Sequence, residues 1–116
     1  MKKYLFLFAT VFFIYSCFSG SQYYEIKDVT KSEVVILKKE TNQRNIHAIT
    51  ISGKGQISGE AKIILILNGS PYKSKDITGK VNFNWGGDWY ADTAEIRYDP
   101  MSVSDGQLNI NFKFHD

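Results

Sequence analysis

Cysteine and histidine are nearly absent from the sequence. Cys17 is the single cysteine among 116 residues. One cysteine cannot form an intrachain disulfide, so a small scaffold held by disulfides is excluded. The two histidines, His47 and His115, have no companions at the spacing of zinc ligands. The sequence therefore predicts no metal site and no cofactor.

Proline is also scarce, with 2 residues in the whole chain. Proline cannot donate a backbone hydrogen bond inside a sheet, so its scarcity leaves long stretches free to pair as strands. The hydrophobic content of 43% and the charged content of 22% are ordinary for a globular protein. Many Val, Ile, Thr and Tyr residues favour β structure.

An excess of charge of one sign is missing as well. The formal net charge is +2, but Lys2 and Lys3 lie in the first three residues. Without these two, the 14 basic residues fall to 12 and equal the 12 acidic residues. Binding to nucleic acid depends on a basic surface, so we expect no nucleic-acid partner.

No apolar run is long enough to span a bilayer. Residues 4–15 are uncharged and follow the two N-terminal lysines. A spanning helix needs about 20 apolar residues, whereas a shorter apolar run after positive charge is typical of a signal peptide. Residues 14–17, Ile-Tyr-Ser-Cys, end this segment.

Residues 14–17 resemble the lipobox of bacterial lipoproteins: an aliphatic residue, a variable one, a small one and then Cys. The resemblance implies cleavage before Cys17, lipidation of its sulfur and acylation of the new N-terminus. Several acyl chains hold a protein firmly on a membrane. Phe18 replaces the Asp that retains some lipoproteins in the inner membrane, which implies the outer membrane. An ordinary secretory signal or an uncleaved anchor is the alternative.

The resemblance divides the chain into three parts. Residues 1–16 form the signal peptide, and residues 17–22 form the lipidated cysteine and a short Ser/Gly tether. Residues 23–116 form one domain, held at the cell envelope by the lipid on Cys17. Five tether residues reach about 17 Å at most, so the domain lies close to the bilayer.

Short alternating apolar segments, separated by turn residues, follow along residues 23–116. Their spacing predicts an antiparallel β-sandwich or small barrel of about seven to eight strands. Residues 61–67 and 107–114 give the clearest strands. Residues 31–40 are ambiguous, since a capping-box spacing allows a short helix while the β-branched residues 34–36 favour a strand.

Within residues 23–116, the densest group of large apolar side chains lies at residues 81–98. Alternation of Val81, Phe83 and Trp85 with polar residues predicts a strand, and the Gly-Gly pair at 86–87 suits a two-residue hairpin turn. This turn places Trp85 in the core and Trp89 outside. A longer loop over 86–93 also leaves Trp89 at the surface. The competing possibility is that Trp89 folds back over the edge of the sheet.

An exposed tryptophan beside acidic and amide side chains is typical of a contact site. No nucleophile elbow, phosphate-binding loop or calcium-loop spacing is found in the sequence. We therefore expect no enzyme, but a non-catalytic binding module for an envelope protein or a glycan. The predicted binding residues are Trp89, Asp88, Tyr90, Asp92 and Asn84.

Residues 61–67 are apolar on both faces. A strand of a sandwich buries one face against the core. Ile64 and Ile66 lie on the other face. We expect residues 23–40, a second subunit or a partner to cover them, and the last two options make the protein a structural subunit of an envelope assembly.

Residues 69–72, Gly-Ser-Pro-Tyr, resemble the Gly-x-x-Tyr loop of small exported lysozyme inhibitors. Those inhibitors are also rich in β structure. The resemblance covers four residues, and the disulfide usual in that family cannot form here. It implies an alternative function, that of a periplasmic enzyme inhibitor or an immunity-type lipoprotein.

Overall fold

A computed structural model describes residues 21–116, and the predicted signal peptide and Cys17 lie outside this range. The described part is all-β, which confirms the predicted fold class. No helix in it is long and apolar enough to cross a membrane. Its six strands are β1 Gln22–Glu25, β2 Glu33–Lys38, β3 Ala48–Leu67, β4 Ser70–Asp88, β5 Thr93–Pro100 and β6 Asp105–His115.

The long strand β3 is the centre of one antiparallel sheet. β4 pairs with one side of β3 along nearly its whole length. On the other side, β6 pairs with the first half of β3 and β5 pairs with the second half. β1 extends the sheet beyond β6, and β2 extends it beyond β5. The sheet curls around one hydrophobic core.

Six strands replace the seven to eight predicted, because β3 and β4 are 20 and 19 residues long and β4 runs through the Gly-Gly pair that was expected to form a turn. The register between β3 and β4 shifts between Ile57 and Glu60, which marks a bulge. Gly59 lies there with φ 124°. A Cβ at Gly59 would lie 2.0 Å from the carbonyl oxygen of Ser102, so only glycine fits. Bulges of this kind increase the local bend and twist of a sheet.

The core follows the period-two alternation of each strand. In β6, the four inward side chains from Leu108 to Phe114 are all buried. Residues 31–40 contain a strand and no helix, and in β2 Val35 and Leu37 point inward. The buried Tyr98 hydroxyl donates a hydrogen bond of 2.6 Å to the Val29 carbonyl oxygen. Burial also raises the pKa of Tyr98.

Hydrogen bonds join β1 and the residues just after it to β2, so they connect the two ends of the path β1-β6-β3-β5-β2. Gln22 Nε2 donates to the Lys38 carbonyl oxygen at 3.0 Å. The Lys27 amide donates to Glu33 Oε1 at 3.1 Å, and the Tyr24 hydroxyl donates to Glu33 Oε2. The bond to Glu33 is the main reason why the pKa of Tyr24 is raised to about 12. We call these three contacts the seam.

The predicted hairpin over residues 81–98 is wrong. β4 continues through Gly86 and Gly87, which pair with Thr50 and Ile49 of β3. The segment after Asp88 leads to β5, which pairs with β2 and β3 and not with β4. The hairpin that does form joins β3 to β4 through Asn68 and Gly69, whose φ values of 53° and 80° fit a type I′ turn.

Candidate functional site

Trp89 is buried, so the prediction that it lies at the surface is wrong. Its side chain is 5% exposed, and Nε1–H donates to the Thr93 carbonyl oxygen at 2.9 Å. Because β4 does not turn at Gly86 and Gly87, the alternation that directs Trp85 inward continues and directs Trp89 inward too. Trp89 packs into the core at this end of the sheet. This agrees with the alternative interpretation, in which Trp89 folds back over the edge of the sheet.

Trp85 reaches the surface instead. Its ring packs against the core only in part, and its centroid lies 4.9 Å from that of Phe83. The reason is its place on β4, which pairs with β3 alone among the described strands. A side chain on an edge strand has no neighbouring strand to cover its outer flank.

The two ends of β4 come together beside Trp85. Tyr72 and Lys73, near the start of the strand, share a narrow depression with residues 85–89 at its end. Tyr72 is 51% exposed, and Lys73 Nζ lies 5.6 Å from the centroid of its ring. Ile49, Ile51 and Leu65 of β3 form the apolar floor.

Four of the predicted binding residues are exposed. Asp88 lines the depression, and Tyr90, which is 76% exposed, follows it in the connection to β5. Asp92 lies in the same connection, where its carbonyl oxygen accepts a 3.0 Å hydrogen bond from the Lys39 amide. Asn84 lies apart on the outer face, opposite Ser52. We call Tyr72, Lys73, Trp85, Asp88 and Tyr90 the aromatic end.

Tyr72 and Lys73 were not predicted to belong to this site. Tyr72 was considered only as part of the loop over residues 69–72. Their place beside Trp85 depends on the bend at Gly59, which brings the two ends of one strand together. No periodicity within a single strand shows such a bend.

A second, wider groove of about 290 Å³ lies at the bulge. Lys62 and Asp76 cross it as an ion pair, with Nζ and Oδ1 3.8 Å apart. Glu60 and Met101 line its sides. Both members of the ion pair are open to solvent, so this pair offers a ligand no desolvated charge.

The carboxylates with lowered pKa values lie outside both grooves. The Thr30 hydroxyl and amide lower the pKa of Asp28 by donating to it. The Arg44 amide, which donates to Asp116 at 2.8 Å, lowers the pKa of that carboxyl. Within residues 21–116, no group of three or more His, Cys, Asp and Glu side chains is placed to hold a metal ion.

Ile64 and Ile66 lie on the outer face of β3, as the alternation predicted. Ile66 is buried within the chain itself, whereas Ile64 is partly exposed. Residues 23–40 do not lie over them, since β2 pairs with β5 at the side of the sheet. β2 instead adds two exposed apolar side chains to the same face, Val34 at 59% and Ile36 at 50%.

Comparison with known proteins gives structural similarity alone. No family model and no curated protein matches the sequence. PliG, a periplasmic inhibitor of g-type lysozyme from Aeromonas hydrophila, aligns with a TM-score of 0.52 and 12% identity over 85% of this chain and 90% of its own. PirA gives a TM-score of 0.50 and 11% identity over 84% and 94%. These identities establish a similar fold and nothing further.

Proposed function

We propose that this protein is a non-catalytic binding protein, anchored by lipid at the cell envelope, that binds another envelope component through its aromatic end. The observation that carries the proposal is the convergence of Tyr72, Lys73, Trp85 and Asp88 in one depression. Aromatic rings supply flat apolar area at low entropic cost, and the flanking charges give directional contacts. Protein hot spots and sugar-binding surfaces both use this combination.

The anchor rests on the resemblance of residues 14–17 to a lipobox. Cys17→Ser should abolish acylation and release the protein from the membrane fraction, because the sulfur that accepts the lipid is gone. Metabolic labelling with a radioactive or clickable fatty acid, followed by fractionation, measures both effects. Labelling that persists in Cys17→Ser would contradict the anchor, and Ser19→Ala is the matched control.

Two parallel binding experiments separate a protein partner from a glycan. The full chain serves as bait in detergent extracts of its native envelope and as probe on a glycan array. A partner that uses the aromatic end should be lost with Tyr72→Ala and with Asp88→Lys. It should be kept by Tyr23→Ala, which removes a comparably exposed tyrosine elsewhere. A partner kept by all three variants would place the contact on another surface.

A second function, inhibition of an envelope enzyme, has support from the loop over residues 69–72. This loop lies at the tip of the β3–β4 hairpin, and Tyr72 projects from it into solvent. PliG inhibits a lysozyme, so lysozymes are the first enzymes to assay, while the structural similarity to PliG concerns the fold alone. Inhibition that Tyr72→Ala abolishes and Tyr23→Ala keeps would favour this function. No inhibition by the wild type would leave general binding as the proposal.

A further inference from the structure

The outer face of β2, β5 and β3 carries two short rows of side chains with the same pattern. Neighbouring strands place Val34, Arg97 and Ile64 side by side in the first row. The second row, one step along the strands, holds Ile36, Glu95 and Ile66. Each row is apolar, charged and apolar, and the two charges have opposite signs. We call these six residues the two-row patch.

The two-row patch differs from an ordinary solvent-facing surface. The exposed face of an antiparallel sheet is usually polar, and a charged edge strand prevents pairing with other chains. On β2, however, Val34 and Ile36 are among the most exposed large apolar side chains in the described chain. The Glu95 carboxylate accepts a hydrogen bond from Arg97 Nε at 2.6 Å, with both side chains still open to solvent.

We propose that the two-row patch binds a second copy of this chain, related by a two-fold axis that runs across the strands between the two rows. Such an axis brings the first row of one copy over the second row of the other. Val34 then faces Ile36, and these two exposed side chains supply most of the apolar contact. Ile64, which is partly exposed, lies over Ile66, which is already buried within its own chain. Arg97 of each copy faces Glu95 of its partner, so the interface is complementary in charge as well as in apolar contact.

The residues that flank the two-row patch on β2 and β5 are compatible with this axis. On β2 it places Ser32 opposite Lys38, and on β5 it places Asp99 opposite Thr93. Neither pair sets like charges against each other. The axis passes over positions 35, 96 and 65, whose side chains point inward and are buried, so they do not obstruct the contact. Two sheets packed face to face in this way lie about 10 Å apart, with interdigitated side chains.

The size of the two-row patch indicates a weak dimer. A standard interface buries about 800 Å² on each partner, which is more than the five side chains of the patch that reach solvent supply, since Ile66 is already buried. Charge complementarity at a small interface mainly determines which partner and which orientation are accepted. This inference does not depend on the aromatic end, which uses Tyr72 and Trp85.

Charge reversal tests the dimer with the full chain in its own membrane. Two copies with different tags are co-expressed and trapped by brief formaldehyde cross-linking, and co-purification is measured. Glu95→Arg in both copies, or Arg97→Glu in both, should lower co-purification several-fold, since like charges then face each other across the axis. Glu95→Arg in one copy with Arg97→Glu in the other should restore it. Lys54→Glu, a charge reversal on a different part of the sheet, should have no effect.

The mixed pair also controls for folding, because a misfolded variant would not regain its partner. Three outcomes overturn the proposal. Wild-type copies that do not co-purify show that there is no dimer. Co-purification that charge reversal leaves unchanged shows that the dimer uses another face. A mixed pair that stays apart shows that Arg97 and Glu95 do not meet across the two copies.

Discussion

Trp89 anchors the end of the sheet from which the aromatic end projects. Its ring is buried and its Nε1–H is bonded to the Thr93 carbonyl oxygen. It thereby fixes the end of β4 at Asp88 and the connection that carries Tyr90. Trp89 would therefore support binding only indirectly, because it holds the exposed residues Asp88 and Tyr90 in position.

Trp89→Ala should lower the free energy of unfolding by about 3–5 kcal/mol, because it leaves a large cavity and an unpaired carbonyl oxygen. Trp85→Ala should cost about 1–2 kcal/mol, since that ring is only partly removed from water. Denaturant melts of the two variants measure the difference. Equal costs, or a larger cost for Trp85→Ala, would contradict the inward direction of Trp89.

Because of the seam, we expect the folding stability of the domain to depend on pH in the alkaline range. The pKa of Tyr24 is raised from 10.0 to about 12 by its hydrogen bond to Glu33, by burial and by the Glu33 charge. A group whose pKa is raised by folding contributes stability that is complete below its unfolded pKa and is lost as pH rises through the folded value. The contribution of Tyr24 is therefore present below pH 10 and disappears towards pH 12.

Unfolding of wild type and Tyr24→Phe between pH 8 and about 12 measures this dependence. Tyr24→Phe should flatten the loss of stability in this range, whereas Tyr23→Phe on the same strand should not change it. If the stability of Tyr24→Phe falls as steeply with pH as that of the wild type and of Tyr23→Phe, Tyr24 does not hold the seam. Burial raises the pKa of Tyr98 in the same direction, so part of the loss should remain in Tyr24→Phe.

Local sequence patterns predicted the strands better than the connections between them. The alternation in residues 107–114 gave the inward side chains of β6, and the β-branched run at 34–36 favoured the strand that forms. The Gly-Gly pair at 86–87 was misleading, since glycine permits a tight turn without requiring one. Pairing with β3 holds those two residues extended.

The bulge at Gly59 is the element on which the curl of the sheet depends. Gly59→Ala should destabilise the domain strongly, because φ 124° is unfavourable for alanine and the new Cβ meets the Ser102 carbonyl oxygen. Gly69→Ala is the matched control: φ there is 80°, yet nothing lies within 4 Å of the new Cβ.

Thermal and denaturant unfolding compare the two glycine variants. Gly69→Ala should cost about 1 kcal/mol, the strain of a left-handed conformation alone. Gly59→Ala should cost clearly more, because a backbone oxygen must also move. Equal costs would indicate that strain in φ explains both positions and that the close approach to Ser102 is unimportant.

Composition and spacing predicted the fold class but not the surface that the complete fold creates. Asp88 and Tyr90 were predicted as contact residues from their sequence neighbours, and both are exposed. Tyr72 and Lys73 join them only because a 19-residue strand bends until its two ends meet. Long-range geometry of this kind depends on the pairing of all of β3 and β4.

The surface that meets the partner in the native envelope can be identified in intact cells. A photo-crosslinking amino acid replaces Tyr72 in one full-length variant and the comparably exposed Tyr23 in another. After irradiation of intact cells, the position 72 variant should form a discrete higher-mass adduct, and the position 23 variant should form none. An adduct at position 23 alone, or the same adduct at both positions, would contradict the assignment of binding to the aromatic end.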